Sequence, residues 1–187
     1  MSLPKQLEKK LEEMTGMLNF MLSDLNASNT MLGQQLLLAE KTGNRLYIDA
    51  LIRMRVRAVV SFLESACFYF RHISRDICEA LKREPLKEFL IIEEGKKVEL
   101  KDKIKLSLRF LAYSLGKKVD LDLQSRRWQS VCSVLDKRHL ITHPTSISEL
   151  QVDENDLEDV NNAMFWFVDF VYKLMGKPRP RELDGLF

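Results

Sequence analysis

The chain has 187 residues, of which 45% are hydrophobic and 30% charged, and its formal net charge is +2. This balance is typical of a globular domain rather than of a disordered chain, and the small net charge gives no sign of bulk attraction to nucleic acid. The sequence predicts neither a membrane-spanning segment nor a signal peptide, and three cysteines without a CxxC spacing favour reduced thiols in the cytoplasm.

Helices dominate the expected fold because glycine and proline are scarce. Only 7 glycines and 5 prolines interrupt the chain, and long stretches contain neither. We therefore expect an all-α, up-down helical bundle with one long central helix. Its predicted parts are a helical arm over residues 1–41, a bundle over 42–176 and an extended tail over 177–187.

The first predicted helix begins near Pro4, a residue suited to a first helical turn. Its apolar residues alternate in steps of four and three, as in a heptad seam. They are Leu7, Leu11, Met14, Leu18, Met21 and Leu25. The seam has two interpretations, packing on the chain's own domain or an intermolecular coiled coil. Residues 26–29 contain two asparagines and are predicted to loosen or end this helix.

The second predicted helix covers about residues 46–83 and forms the central element of the bundle. The break at Gly43 precedes it, with Thr42 or Asn44 as its cap. No glycine or proline occurs between Leu46 and Arg83, and apolar residues mark a wide face. A helix of roughly 35 residues would span roughly 50 Å.

The remaining predicted elements begin with an insertion over residues 85–100, either a small hairpin or an irregular excursion. A third helix follows from about Asp102 to Gly116, a glycine suited to ending a helix.

Two further helices complete the predicted bundle. The fourth runs from about Asp120 into residues 138–143. The fifth is expected to start at Asn155, with Glu158 completing a capping box, and to end at Gly176.

The end of the fourth helix concentrates the groups suited to proton transfer and phosphate binding. Arg138, His139 and His143 lie within six residues, followed by Pro144. Histidine titrates near neutral pH, and arginine offers a planar fork of donors that fits phosphate. Pro144 disfavours helical conformation at His143, so His143 should lie at the last turn or just beyond it. We expect Arg138 and His143 to border one cleft, with the apolar residues 140–141 anchoring the segment in the core.

Segment 138–144, RHLITHP, resembles the motif of the HEPN superfamily, small all-helical domains found in many metal-independent ribonucleases and toxin–antitoxin systems. That motif has an arginine, commonly followed by a polar residue, and a histidine four to six residues after the arginine. The order of elements is also similar, with a long apolar helix at 46–83, the motif helix and a final amphipathic helix. The resemblance covers about residues 42–176, with 85–100 as an insertion.

The resemblance implies an endoribonuclease that needs no metal or other cofactor. Arg138 would bind the scissile phosphate, and His143 would act as acid or base on the 2′-hydroxyl or the leaving 5′-oxygen. His139 would orient the phosphate or the other histidine. The implied partners are RNA, a second copy of the chain whose motif faces the first, and an antitoxin protein if the chain acts in a toxin–antitoxin or phage-defence system.

A basic stripe on the second helix is a separate feature of the sequence. By helical arithmetic, five basic residues lie within about 40° of one another, with Glu64 in the middle. They are Arg53, Arg57, Arg71, Arg75 and Lys82. The stripe is either a solvated helix face or a phosphate-binding surface on which Glu64 holds an arginine or the catalytic histidine in place.

Other interpretations of the same residues stay open at this point. His139 and His143 could cap carbonyls at a helix end, or they could bind zinc if Asp136 or another group supplied a third ligand. The domain could be a non-catalytic HEPN-like module that binds nucleotides, RNA or protein. A third alternative is a helical interaction protein that associates through the heptad seam of the first helix.

Overall fold

A computed structural model describes residues 5–88 and 97–178. Its α-helices, numbered here in chain order, are α1 Lys5–Thr42, α2 Arg45–Ala80, α3 Leu100–Ser114, α4 Arg126–Thr142 and α5 Glu154–Met175, and a short 3-10 helix covers Ile147–Leu150. No strand occurs within the described ranges. The prediction of an all-α helical bundle is therefore confirmed, while most of the predicted hairpin falls on residues 89–96, outside the described residues.

Helix α2 is the central element, as predicted, and it packs against α1, α3, α4 and α5. The Asn44 side chain caps its start by accepting a hydrogen bond of 3.2 Å from the Tyr47 backbone N–H. Its end comes earlier than the predicted 83, because Lys82 takes a left-handed conformation with φ of 53°. The Arg83 N–H then donates to the Cys78 carbonyl at 2.8 Å and closes the helix. Lys82 therefore lies beyond the helical stripe to which the sequence assigned it.

Helix α1 continues through residues 26–29, and the prediction that it loosens or ends there is wrong. Asn29 is buried, and the apolar face resumes at once with Leu32, Leu36 and Ala39. These three side chains form a cluster with Leu51 of α2. Burial of each leucine contributes about 1.5–3 kcal/mol, which outweighs an asparagine's helix penalty of at most about 0.7 kcal/mol.

The heptad seam of α1 faces the chain's own core. Met14, Leu18 and Leu25 are all buried and pack in the main hydrophobic cluster with residues of α2. The interpretation of the seam as packing on its own domain is confirmed at these positions. The side chain of Leu7 lies outside the described part.

Polar contacts also tie α1 to the rest of the bundle. Lys10 forms an ion pair of 2.9 Å with Asp76 of α2, and the Tyr172 hydroxyl of α5 donates to the Asn19 side chain. The domain boundary expected after residue 41 stays a prediction. Of the predicted tail, Lys177 and Pro178 have no regular structure, and residues 179–187 lie outside the described ranges.

The starts of α3 and α4 differ from their predicted positions. Helix α3 begins at Leu100, two residues early, and ends as predicted before Gly116, whose φ is 68°. Helix α4 begins at Arg126 rather than Asp120. Asp122 has φ of 43°, which interrupts a helix, and the Ser125 hydroxyl accepts a hydrogen bond of 3.2 Å from the Trp128 N–H.

Helix α5 has a different cap from the one the sequence predicted. Asp153 is its N-cap, and Asp156, rather than Glu158, completes the capping box. Gly176, with φ of 71°, ends the helix as predicted. Within the described ranges, no helix combines the length and apolarity that crossing a membrane requires.

Candidate functional site

The candidate site is built on the C-terminal half of α4, whose apolar side is held in the core. Trp128 packs against Trp166 of α5 with ring centroids 5.0 Å apart, and both side chains are buried. Ile141 is 2% exposed, whereas Leu140 is 37% exposed. The predicted apolar anchor of the motif therefore consists of Ile141 alone, and Leu140 faces outward.

His143 ends the motif helix, as the proline after it predicted. It is the C-cap residue, with φ of −128° and ψ of 57°, and its backbone N–H donates to the His139 carbonyl at 3.0 Å. This turn brings the imidazoles of His139 and His143 together, with ring centroids 5.5 Å apart and planes tilted by 53°. Both side chains are exposed, so two proton-carrying groups lie side by side at the surface.

Arg138 lies on the side of α4 that faces α2. Its Nη2 is 3.9 Å from a carboxylate oxygen of Glu64, and both side chains are about one-third exposed, at 33% and 39%. Arg138 and His139 line a cavity of about 380 Å³, the motif cleft, together with Leu100, Lys101 and Asp136. His143 is not among its lining residues. The expectation that Arg138 and His143 border one cleft is therefore not met: Arg138 borders the motif cleft together with His139, and His143 lies outside its lining.

The arginines predicted as a phosphate-binding stripe have different surroundings. Arg57 donates to the Ile141 carbonyl at 2.8 Å, and Arg53 donates to the Leu150 carbonyl at 2.8 Å. Arg71 donates to the Ser107 hydroxyl at 3.0 Å, and Arg75 is exposed. Arg53 and Arg57 therefore fix the backbone on either side of His143, and a phosphate contact by any of the four stays a prediction.

Sequence reasoning missed the groups that hold the segment after the motif. The Thr145 N–H and hydroxyl donate to the two carboxylate oxygens of Glu149 at 2.6 Å and 2.7 Å. These hydrogen bonds, the backbone one first, lower the pKa of Glu149, and the charge of nearby His139 acts in the same direction. A threonine following His-Pro, with a glutamate four residues on, is the sequence signal that could have indicated this turn.

A second missed contact joins α4 to the start of α5. The Lys137 ammonium lies 3.1 Å from the Asp156 carboxylate and donates to the Gln151 carbonyl at 3.2 Å. Because Asp156 also belongs to the capping box of α5, one carboxylate connects the helix cap to the motif helix. No local pattern links Lys137 to Asp156, since nineteen positions and a loop separate them.

The site combines a guanidinium with two imidazoles, which are groups suited to anion binding and proton transfer. Among residues 5–88 and 97–178 no three histidine, cysteine or acidic side chains gather in a way that could hold a metal ion. The zinc alternative for His139 and His143 therefore has no third ligand in that part of the chain. Comparisons of the chain with family models, with curated proteins and with solved structures find no match.

Proposed function

We propose that this chain is a metal-independent endoribonuclease of the HEPN type that cleaves single-stranded RNA. The observation that carries the proposal is the exposed cluster at the end of α4, where two imidazoles lie 5.5 Å apart and the adjacent Arg138 lines a cleft. These groups are the ones that cleavage through the 2′-hydroxyl needs, namely proton carriers and a cation for the phosphate.

The proposed chemistry uses the ribose itself as the nucleophile. His143 takes part as base or acid: as base it accepts the 2′-hydroxyl proton while the 2′-oxygen bonds to phosphorus. The bond from phosphorus to the 5′-oxygen then breaks, and a second imidazole returns a proton to that oxygen. The products are a 2′,3′-cyclic phosphate and a free 5′-hydroxyl, and DNA is not a substrate because it lacks the 2′-hydroxyl.

Arg138 is suited to bind the phosphate during this reaction. Its separation of 3.9 Å from Glu64 is too long for a hydrogen bond, so its guanidinium donors are not taken up by that carboxylate. Glu64 therefore aligns the side chain by charge, while the planar fork stays available for two phosphate oxygens. His139, whose imidazole lies beside that of His143, orients the phosphate or His143.

A homodimer that brings two motifs together would supply the second set of groups. Leu140, between the two histidines in the chain, and Ile147, four residues after His143, are 37% and 85% exposed. A contiguous exposed apolar patch rimmed by polar residues marks an interaction surface, and we propose that these two side chains belong to one. We propose such a dimer in the cytoplasm, with an antitoxin protein as a further partner if the chain serves as a toxin.

The test is incubation of pure protein with single-stranded RNA in EDTA, with the product ends identified. We expect 2′,3′-cyclic phosphates from the wild type and a loss of roughly 10²-fold or more in His143→Ala, as for removal of a general acid or base. Arg138→Lys should also be impaired, because an ammonium cannot make the bidentate contact. His139→Asn should retain more activity if His139 only orients.

Arg126→Lys is the matched control, since Arg126 is an exposed arginine at the opposite end of α4. It should cleave like the wild type. Equal cleavage by the wild type and His143→Ala, or loss of cleavage in EDTA, would show that the mechanism is wrong. Binding of RNA or nucleotide without any cleavage would favour the alternative of a non-catalytic binding module.

A further inference from the structure

A second groove continues from the motif cleft along α2 towards the start of α3. This α2–α3 groove has a volume of about 390 Å³ and is lined by residues that include Glu64, Phe68, Arg71, Leu100 and Lys103. Leu100 also lines the motif cleft. The two spaces therefore share one wall, and the Glu64–Arg138 ion pair lies between them.

Phe68 gives the groove an exposed aromatic face. Its side chain is 58% exposed and lies in the middle of α2. His72 contacts its ring at a tilted angle, with centroids 4.5 Å apart, and the Arg71 guanidinium lies 5.7 Å from the ring centroid. These two neighbours hold the ring in place without covering it.

Arg71 places a positive charge in the groove, and its neighbours do not neutralise that charge. Its contacts in the described part of the chain are the Ser107 hydroxyl and the Phe68 ring, neither of which is anionic. Burial lowers the pKa of the Arg71 guanidinium, so the group is partly shielded from water. The carboxylate of Glu64 lines the same groove, but its ion pair is with Arg138 and not with Arg71. A half-buried cation of this kind favours an anionic ligand.

The combination of groups fits a nucleotide unit of a single strand. An exposed aromatic ring can stack on any base, and flanking cations follow the phosphates. The groove volume falls in the range of small-ligand sites, about 300–1,000 Å³. Phe68 lies one helical turn from Glu64, a rise of about 6 Å, so a base on Phe68 would be next to a phosphate held at Arg138.

We propose that the α2–α3 groove binds a nucleotide of single-stranded RNA beside the one whose phosphate Arg138 holds. Phe68 stacks on the base, and Arg71 and Lys103 bind the adjoining phosphate. The assignment of RNA as the ligand rests on the proposed nuclease function. The groove itself is defined by contacts that are independent of the histidines.

The test is binding of a fluorescein-labelled RNA of ten nucleotides whose 2′-hydroxyls are methylated, so that cleavage through the 2′-oxygen is blocked. Phe68→Ala should weaken binding by about 5- to 150-fold, the range for loss of one stacked base. Phe68→Trp should retain the affinity, and its emission should be quenched on binding. Lys103→Gln should reduce the slope of log affinity against log salt by about one phosphate contact.

The matched control is Phe20→Ala, because Phe20 is a phenylalanine of α1 with 65% exposure. It should bind the RNA like the wild type. Unchanged affinity in Phe68→Ala, or an equal loss in Phe20→Ala, would overturn the proposal. Equal affinity for AMP and for the decamer would overturn it in favour of a free-nucleotide site, and equal Phe68-dependent binding of polyglutamate would overturn it in favour of an acidic protein.

Cleavage of unmodified RNA separates the two proposals. If the wild type cleaves and Phe68→Ala cleaves with unchanged KM, the groove is not a subsite, although the nuclease function holds. If binding depends on Phe68 but no RNA is cut, the groove is supported and the nuclease function is wrong. Absence of any RNA binding by the wild type would overturn both.

Discussion

Arg57 shows how one side chain outside the motif fixes its geometry. Carbonyls in the last turn of a helix have no partner within the helix, and they form its negative end. Arg57 supplies both a donor and a positive charge to one of them, the Ile141 carbonyl two residues before His143. The orientation of His143 therefore depends on a residue of α2 that sequence reasoning assigned to phosphate binding.

Replacing Arg57 by Gln should consequently affect stability and the rate of the chemical step. Loss of the charge-assisted hydrogen bond in a partly exposed position should cost about 1 kcal/mol, which lowers Tm by about 2–4 °C. If Arg57 positions the motif, kcat of RNA cleavage should fall while KM and the salt dependence of binding stay constant.

The matched control for this prediction is Arg109→Gln, since Arg109 is an exposed arginine of α3. Both Tm and kcat should stay at wild-type values. An unchanged Tm in Arg57→Gln together with a smaller salt slope would show that Arg57 contacts phosphate instead.

The sequence correctly predicted features that are determined by residues close together in the chain. Pro144 disfavours helical conformation at the residue before it, and His143 indeed ends α4. The pairing of Lys137 with Asp156 and the contact of Arg57 with Ile141 could not be predicted, because each joins different elements. Their formation depends on how the helices pack, which a single sequence does not encode in any short pattern.

At the scale of elements, the caps decide where the helices around the site begin. The N-cap of α5 is Asp153, whose carboxylate accepts hydrogen bonds from the Asn155 and Asp156 N–H groups at 2.9 Å and 3.2 Å. These bonds, the one from Asp156 first, lower the pKa of Asp153. The sequence pointed to Glu158 because a capping box can be matched at more than one position, and only the backbone conformation decides between them.

Asp153→Ala should lower the free energy of unfolding by about 1 kcal/mol at neutral pH, as is usual for loss of an N-cap. Because the pKa of Asp153 is lower in the folded state, the unfolded chain binds more protons as the pH falls. The contribution is therefore complete above the unfolded pKa of about 3.9 and is lost as the pH falls through the folded value. Urea titrations between pH 2 and pH 7 would measure this difference.

Asp153→Asn is the control for the charge, since asparagine caps a helix about as well as aspartate without titrating. Its stability at neutral pH should be close to that of the wild type, and the part of the acid dependence due to Asp153 should disappear. A constant gap between the wild type and Asp153→Ala across this pH range would contradict the assignment of the cap.

Tertiary packing explains why propensity misled the prediction for α1. Two asparagines within four residues lower helix propensity only slightly. Burial of the apolar face that resumes at Leu32 outweighs that penalty. The periodicity was visible in the sequence as far as Leu25. The periodicity continues past Asn29 only if this polar residue is itself assigned to the buried positions of the seam.

At the scale of the whole molecule, α1 has two apolar faces with different consequences. The face with Met14 and Leu18 is buried in the core, so removing residues 1–28 would disrupt the fold rather than test association. The opposite face exposes Phe20 and Met31 at 65% and 68%. Two surfaces are thus candidates for pairing with a second copy, this face of α1 and the surface of Leu140 and Ile147 beside the motif.

Single aspartate substitutions distinguish these surfaces without unfolding the chain, because both chosen side chains are exposed. If the dimer forms through the motif, Ile147→Asp should give a monomer in sedimentation velocity at high micromolar concentration, since it places a charge in the apolar contact. Phe20→Asp should remain a dimer with an unchanged Tm. The same Ile147→Asp protein should lose cleavage, because each protomer then has only its own histidines. A dimer that persists in Ile147→Asp and dissociates in Phe20→Asp would assign association to α1, and a wild-type monomer would show that the composite cleft does not form.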